Sequence, residues 1–216
     1  MNRKTSLFVA LTTMALALCA PHAIAQGAAK PDLAKAKELA QGICAACHGA
    51  DGNSAVPVNP NLAGQGADYI TRQLQHFKSG VRANAIMQGM VATLTPADMT
   101  ALGIYYAQQK PKFLTAKDPA LAKAGQMLYR AGNTANGLPA CSACHLPNGV
   151  GVPSNFPRLS GQHADYTYAQ LKAFKAGERG NDKGGVDVNG KIMRDIAMRL
   201  DDAQMKALAD FSAGLR

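Results

Sequence analysis

Two short stretches constrain this chain more than any other feature. Cys44-Ala45-Ala46-Cys47-His48 and Cys141-Ser142-Ala143-Cys144-His145 share the order Cys-x-x-Cys-His. Two cysteines three positions apart can reach two vinyl groups on one porphyrin edge, and a histidine directly after the second is placed under the iron. The pattern is the attachment signature of a c-type haem. It predicts two covalently bound c-type haems, with Cys44, Cys47, Cys141 and Cys144 as attachment thiols and His48 and His145 as proximal iron ligands. The other reading, two halves of a zinc ribbon, would ask the pairs to cooperate across 97 residues, where such ribbons use about 15–20.

The first 25 residues read as a secretory leader. Arg3 and Lys4 form a positive start, Leu7 to Leu18 an apolar core, and Ala23-Ile24-Ala25 a small-x-small cleavage site before Gln26. The apolar run falls short of the roughly 20 residues of a spanning helix, which favours a cleaved leader over an anchor. Leu18 is larger than the residue a lipoprotein site takes before its cysteine. Removal of the leader takes Cys19 with it, and the four remaining cysteines all lie in the two motifs. Exported thiols oxidise unless something holds them, so their complete use by haem agrees with a periplasmic location. No later apolar run is long enough for a membrane span, and peripheral association stays open.

The chain repeats itself. From Cys44 to Asn84 the offset is 97 residues: Pro60-Asn61-Leu62-Ala63-Gly64-Gln65 matches Pro157-Arg158-Leu159-Ser160-Gly161-Gln162, and Ala67-Asp68-Tyr69 matches Ala164-Asp165-Tyr166. Gln73-Leu74, Phe77 and Arg82 match Gln170-Leu171, Phe174 and Arg179. Beyond that the offset is 106, which pairs Met87 with Met193 and Met99 with Met205 and leaves nine extra residues, 182–190, in the second copy. Two homologous domains follow, 26–109 and 118–216, joined by a linker at 110–117. The insert reads as a solvated loop, with a docking role as the alternative.

Each copy reads as helices joined by loops. Asp32 can cap a helix with Leu33, Ala36, Ala40 and Ile43 on one face, and Asp118-Pro119 opens its counterpart, followed by Leu121, Ala124 and Leu128. Second helices are predicted over 67–79 and 164–176. Closing helices begin at the capping-box sequences Thr95-Pro96-Ala97-Asp98 and Asp201-Asp202-Ala203-Gln204. Strand signals are few, and the fold class is all-α.

Only two positions carry Met in both copies. Met99 and Met205 fall where they can pack on Leu94 and Leu200 as hydrophobic staples. Met87 and Met193 lie before the closing helix, in a segment read as irregular, where a thioether can turn toward an iron; they are the candidate sixth ligands. Met90 is a rival in the first copy only. His76 and His163 have no counterpart in the other copy and read as surface histidines. Tyr69, Tyr166, Phe77, Phe174, Leu74 and Leu171 read as core. Gln65, Gln162, Arg82 and Arg179 recur as polar groups, either bonded to haem propionates or simply at the surface.

These residues resemble the class I cytochromes c, and the duplicated arrangement is similar to the dihaem cytochrome c4 family. The resemblance rests on Cys-x-x-Cys-His, on Pro-x-Leu-x-Gly beginning twelve residues after each histidine, and on the later Met and closing helix. It implies two tandem class I cytochrome c domains and a hydrogen bond from each proximal histidine to the carbonyl of Pro60 or Pro157. It also implies first and last helices that cross, and haems that approach across the domain interface. The chain departs from the pattern at the 182–190 insert and in the longer approach to the second motif, 131–140.

Iron held by His and Met on both sides has no open position for a substrate, so an electron carrier is expected rather than an enzyme. The resemblance implies redox partner proteins, with electrons passing from a quinol-oxidising bc complex to a terminal oxidase. The alternatives are the electron-accepting subunit of a periplasmic dehydrogenase and, further off, a dihaem peroxidase or a ligand sensor. Without the leader, 21 Lys and Arg face 14 Asp and Glu. This basic balance suits anionic partner surfaces. Nucleic acid is disfavoured by the absence of a dense basic cluster with interleaved aromatics. The two halves are similarly basic, with 8 against 5 up to Phe113 and 13 against 9 thereafter, so charge does not distinguish their ends.

Overall fold

The computed structural model describes residues 30–216; the leader and Cys19 lie outside them. Among the described residues ten α-helices form two similar sets. In the first set, α1 (Leu33–Leu39) is capped by the Asp32 carboxylate, which accepts from the Ala34 and Lys35 amides at 3.0 Å. The helix runs on through a π-helical turn, Ala40–Cys44, into α2 (Ala45–His48). There follow α3 (Ala67–Ser79), α4 (Ala85–Val91) and α5 (Pro96–Ala107). The second set is α6 (Pro119–Ala131), α7 (Ser142–His145), α8 (Ala164–Ala176), α9 (Val188–Ala197) and α10 (Asp202–Gly214). Among the described residues there is no strand, only two isolated bridges. The predicted 67–79 and 164–176 helices and both capping boxes are present.

The two copies reach their motifs differently. In the first, the helix enters the motif without a break. In the second, α6 stops at Gly132, a 3₁₀ turn (Thr134–Asn136) follows, and the Asn133–Leu138 bridge closes the loop before α7.

First and last helices pack together in each domain, α1 on α5 and α6 on α10, with α3 and α8 beside them. The first core gathers Ala36, Ala40, Ile70, Phe77, Leu94, Met99 and Leu102, and the second Tyr129, Leu200, Met205 and Leu208. Met99 and Met205 are buried against their domains' cores as the staple reading expects. One position of α6 sets how closely it approaches α10. Ala124 is exposed, and Gly125 faces inward because a Cβ there would collide with the Ala207 carbonyl of α10. Closest approach of the two helices falls on the residue without a side chain.

The domains meet across a repeated set of polar contacts. Gln162 accepts from the Asn61 amide through Oε1 (2.8 Å) and donates through Nε2 to the Asn61 carbonyl (2.9 Å). Gln65 does the same to Arg158, the counterpart of Asn61, at 2.8 and 3.0 Å. Arg82 donates to Gln73 of its own domain and to Tyr166 and Gln170 of the other, all within 2.9 Å. Arg179 mirrors it with Gln170, Tyr69 and Gln73. Each guanidinium also lies over its own domain's phenylalanine, Phe77 or Phe174, at 4.6 and 4.4 Å. Residues 110–117 carry no helix and are pinned: Asn53 bonds Lys110 and Lys112, and the Asp210 carboxylate accepts from the Lys117 and Asp118 amides.

Symmetry fails around the insert. Asp182 turns the loop back by accepting from the Gly184 and Asp187 amides, and residues 183–186 stand exposed. Asp187 is buried against His76 of the first domain, with Oδ2 3.9 Å from Nδ1. The insert is thus solvated at its tip and docked at its base. At the counterpart of His76, Ala173, α8 borders a groove of about 350 Å³ lined by Tyr168, Ala169, Lys172, Ala173, Ala176 and Glu178.

Two expectations follow. Lys35 of α1 reaches Asp98 of α5 at 2.6 Å, and with the Thr95 hydroxyl and amide it holds that carboxyl at about 2, below its ordinary 3.8. A depressed acid stabilises above its unfolded pKa and loses that contribution as pH falls through the folded one. Denaturation curves of Asp98→Asn and the parent should therefore converge between pH 3.8 and about 2. Arg179→Met leaves the Tyr69 hydroxyl without its donor and takes from Gln73 and Gln170 one of their two, the other coming from Arg82; it should cost about 1–3 kcal/mol, seen by calorimetry as weakened coupling of the two domain transitions.

Candidate haem sites

The short helices α2 and α7 end on the two motif histidines. Both rings are buried, 8% and 4% exposed. His48 Nδ1 lies 2.9 Å from the Pro60 carbonyl, and His145 Nδ1 lies 2.9 Å from that of Pro157. A carbonyl oxygen only accepts, so each Nδ1 carries the proton and each Nε2 keeps its lone pair. Burial pushes both imidazoles below their ordinary value, with the bond to proline opposing it. A neutral, Nδ1-protonated ring is the form that ligates a metal through Nε2.

The loops that bring each proline to its histidine are tied alike. The Leu62 and Ala63 amides donate to the Gly52 carbonyl, and the Leu159 and Ser160 amides to that of Gly149. Ser54 adds a hydroxyl bond to the Cys47 carbonyl at 2.8 Å, and its amide donates to Asn61 Oδ1. In the second domain Tyr129 donates to the Leu146 carbonyl at 2.7 Å.

The four described cysteines form no disulfide; Cys47 is exposed, and Cys44, Cys141 and Cys144 are half-buried. Burial raises the Cys44 thiol and pushes that of Cys141 up to about 11. Met87 and Met193 are both half-buried, and Met87 packs against the first core. Their segments are helices rather than irregular chain, which corrects the sequence reading. Asn84 accepts from the Met87 amide and Asp187 from the Gly190 amide, so each segment has the cap that starts a helix. Met90 is largely exposed. Beside these groups stand exposed apolar side chains, Ile43, Ile86 and Ile192, each next in sequence to a motif cysteine or a candidate Met. Thiols, neutral imidazoles, thioethers and adjacent apolar surface fit a haem.

Several sequence assignments change. His76 is buried, not at the surface, and faces Asp187. His163 is half-buried and donates through Nε2 to the Ser54 carbonyl across the interface. Tyr69 and Tyr166 are interface donors' partners rather than core residues, and Gln65, Gln162, Arg82 and Arg179 join the domains rather than facing solvent. The recurrence of these residues at one offset was the available signal, since a duplicated chain that packs on itself repeats its contact residues.

Fold and sites together define a protein built of two cytochrome c domains, each with its own haem motif. The family model for cytochrome c matches residues 33–116 and again 122–214. Cytochrome c4 of Thiocapsa roseopersicina is 46% identical over 187 residues, 86% of this chain and 92% of that one. The crystal structure of reduced recombinant cytochrome c4 from Pseudomonas stutzeri superposes with a TM-score of 0.78 at 40% identity, covering 86% of this chain and 99% of its own. The thiosulfate dehydrogenase electron acceptor of Thiomonas intermedia is 43% identical over 173 residues, 79% of this chain and 77% of that protein. The chain belongs to the cytochrome c4 family. It is a dihaem electron-transfer cytochrome with two covalently bound c-type haems.

Proposed function

We propose that Cys44 and Cys47 hold one haem and Cys141 and Cys144 the other, with His48 and Met87 as axial ligands of the first iron and His145 and Met193 of the second. The observation that carries this reading is the pair of histidine rings, each fixed at 2.9 Å from its proline so that Nε2 is free. The bound haem supplies one-electron exchange. The chain supplies a rigid mount: buried imidazoles of set tautomer, and helices whose caps fix the thioethers. With both axial positions filled, neither centre has room for a substrate, and the protein is a carrier rather than an enzyme.

In this reading the protein works in the periplasm, taking electrons from a quinol-oxidising bc complex and passing them to a terminal oxidase. Among the described residues no helix is long and apolar enough to cross a membrane. A second reading is favoured by the relative from Thiomonas intermedia, named as an electron acceptor of thiosulfate dehydrogenase: this chain accepts electrons from a periplasmic dehydrogenase. Reduction by a purified dehydrogenase, against reduction by a bc complex, separates the two.

Optical spectroscopy tests the ligand set. Two c-type haems per chain are expected, with the far-red band of ferric Met ligation at full two-haem strength; half strength overturns the two-Met assignment. Substitution of Met87 or Met193 should remove half the band, and substitution of Met90 or Met99 should leave it. The reduced protein should bind carbon monoxide slowly at neutral pH, and prompt binding would favour a ligand sensor.

A further inference from the structure

The carbonyl that receives the His48 ring proton and the amide that Gln162 accepts from belong to one peptide group. Pro60 supplies the C=O, 2.9 Å from His48 Nδ1, and Asn61 supplies the N–H, 2.8 Å from Gln162 Oε1. The same holds in the other direction. The Pro157–Arg158 peptide has His145 Nδ1 at 2.9 Å on its carbonyl and Gln65 Oε1 at 2.8 Å on its N–H. The orientation of each Gln amide follows from chemistry, because a backbone N–H can only donate and its Nε2 finds the carbonyl of the same residue. All four members are buried or half-buried: Gln65 and Gln162 are 7% and 8% exposed, and His48 and His145 8% and 4%. Each histidine is therefore the first member of a three-part hydrogen-bond chain whose last member lies in the other domain.

We propose that Gln162 and Gln65 are positioning residues for each other's domains, with Gln162 tuning the iron held by His48 and Gln65 the iron held by His145. The inference rests on the reading of His48 and His145 as axial ligands. Its physical basis is polarisation through an amide. An acceptor on the N–H moves electron density toward the carbonyl oxygen and makes it a stronger acceptor, and chains of such bonds strengthen one another in a low-dielectric interior. A stronger acceptor at Nδ1 makes the ring a more basic ligand. Greater ligand basicity favours ferric over ferrous iron, so each glutamine lowers the reduction potential of the haem across the interface. The bidentate grip also fixes the peptide plane, and with it the direction of the carbonyl under the ring.

This arrangement has no cost in unpaired groups. Oε1 of Gln65 accepts a second bond from the Gly66 amide at 2.9 Å, and Oε1 of Gln162 one from the His163 amide at 3.0 Å. Both glutamines sit at the start of a long helix, α3 or α8, whose body carries the Tyr–Arg contacts of the same interface. The site and the domain contact are thus one structure.

The test measures both midpoint potentials of the intact holoprotein by redox titration, with domains assigned in a Met87→His background, which lowers the first domain's potential. Gln162→Met is expected to raise the potential of the first domain and leave the second, and Gln65→Met the reverse. Gln162→Glu accepts from the Asn61 amide in either protonation state, and should leave the first potential at or below its parent value. The His48 Nδ1 proton resonance should move in Gln162→Met and return in Gln162→Glu. Potentials unmoved in the Met variants, moved together in both domains, or shifted the same way by Met and Glu overturn the proposal, the last two marking a merely loosened interface. If Met87→His moves neither potential, the ligand reading for that domain has failed, a result separate from any response to Gln162.

Discussion

Everything in each domain is arranged to bring one proline carbonyl under one histidine ring. Twelve residues separate His48 from Pro60 and His145 from Pro157, and the bond between them converts a titratable, freely rotating imidazole into a neutral ring of one tautomer. That conversion needs the carbonyl to be immobile. The chain achieves this with the Gly52 and Gly149 carbonyls, each accepting two amides from the residues just beyond the proline. The positive φ at both glycines (+76° at Gly52) and the absence of a Cβ let the loop fold this tightly; a side chain at Gly52 would enter the Tyr106 ring.

Duplication gives the second organising constraint. Two copies of one domain that meet through the same residues form contacts in pairs, and here Gln65 with Arg158 is answered by Gln162 with Asn61, and Arg82 with Tyr166 by Arg179 with Tyr69. The interface is polar, and its charged groups include the two guanidiniums and the carboxylates of Asp187, against His76, and Asp68, bonded by Ser154. The guanidiniums are satisfied by amide and hydroxyl oxygens and stacked on aromatic rings instead of being paired with carboxylates. Such an interface depends on geometry more than on area, and small displacements would leave several buried donors without acceptors.

Much of this was legible in the sequence because it is local. The cysteine motifs are read from spacing, the helix starts from Asp32, Asp118, Thr95 and Asp201, and the Pro-x-Leu-x-Gly segments from position after the histidine. What could not be read is what the second copy does to the first. Arg82 and Gln65 look like surface residues in a single domain, and only docking places Tyr166 and Arg158 against them. His76 looks exposed on the polar side of its helix until the 182–190 insert, 106 or more residues away in the chain, lays Asp187 on it. Met87 and Met193 were singled out by recurrence, but their helices were missed because both are short and carry a glycine, which lowers helix propensity.

The insert also has a consequence for how the molecule looks from outside. It closes one flank of the pseudo-symmetric pair and leaves the matching flank, along Ala169, Ala173 and Ala176, as an open recess with Lys172 and Glu178 on its rim. Two ends of nearly equal charge thereby acquire different relief. The near-symmetric pair is thus distinguished by contour where its charge is nearly even.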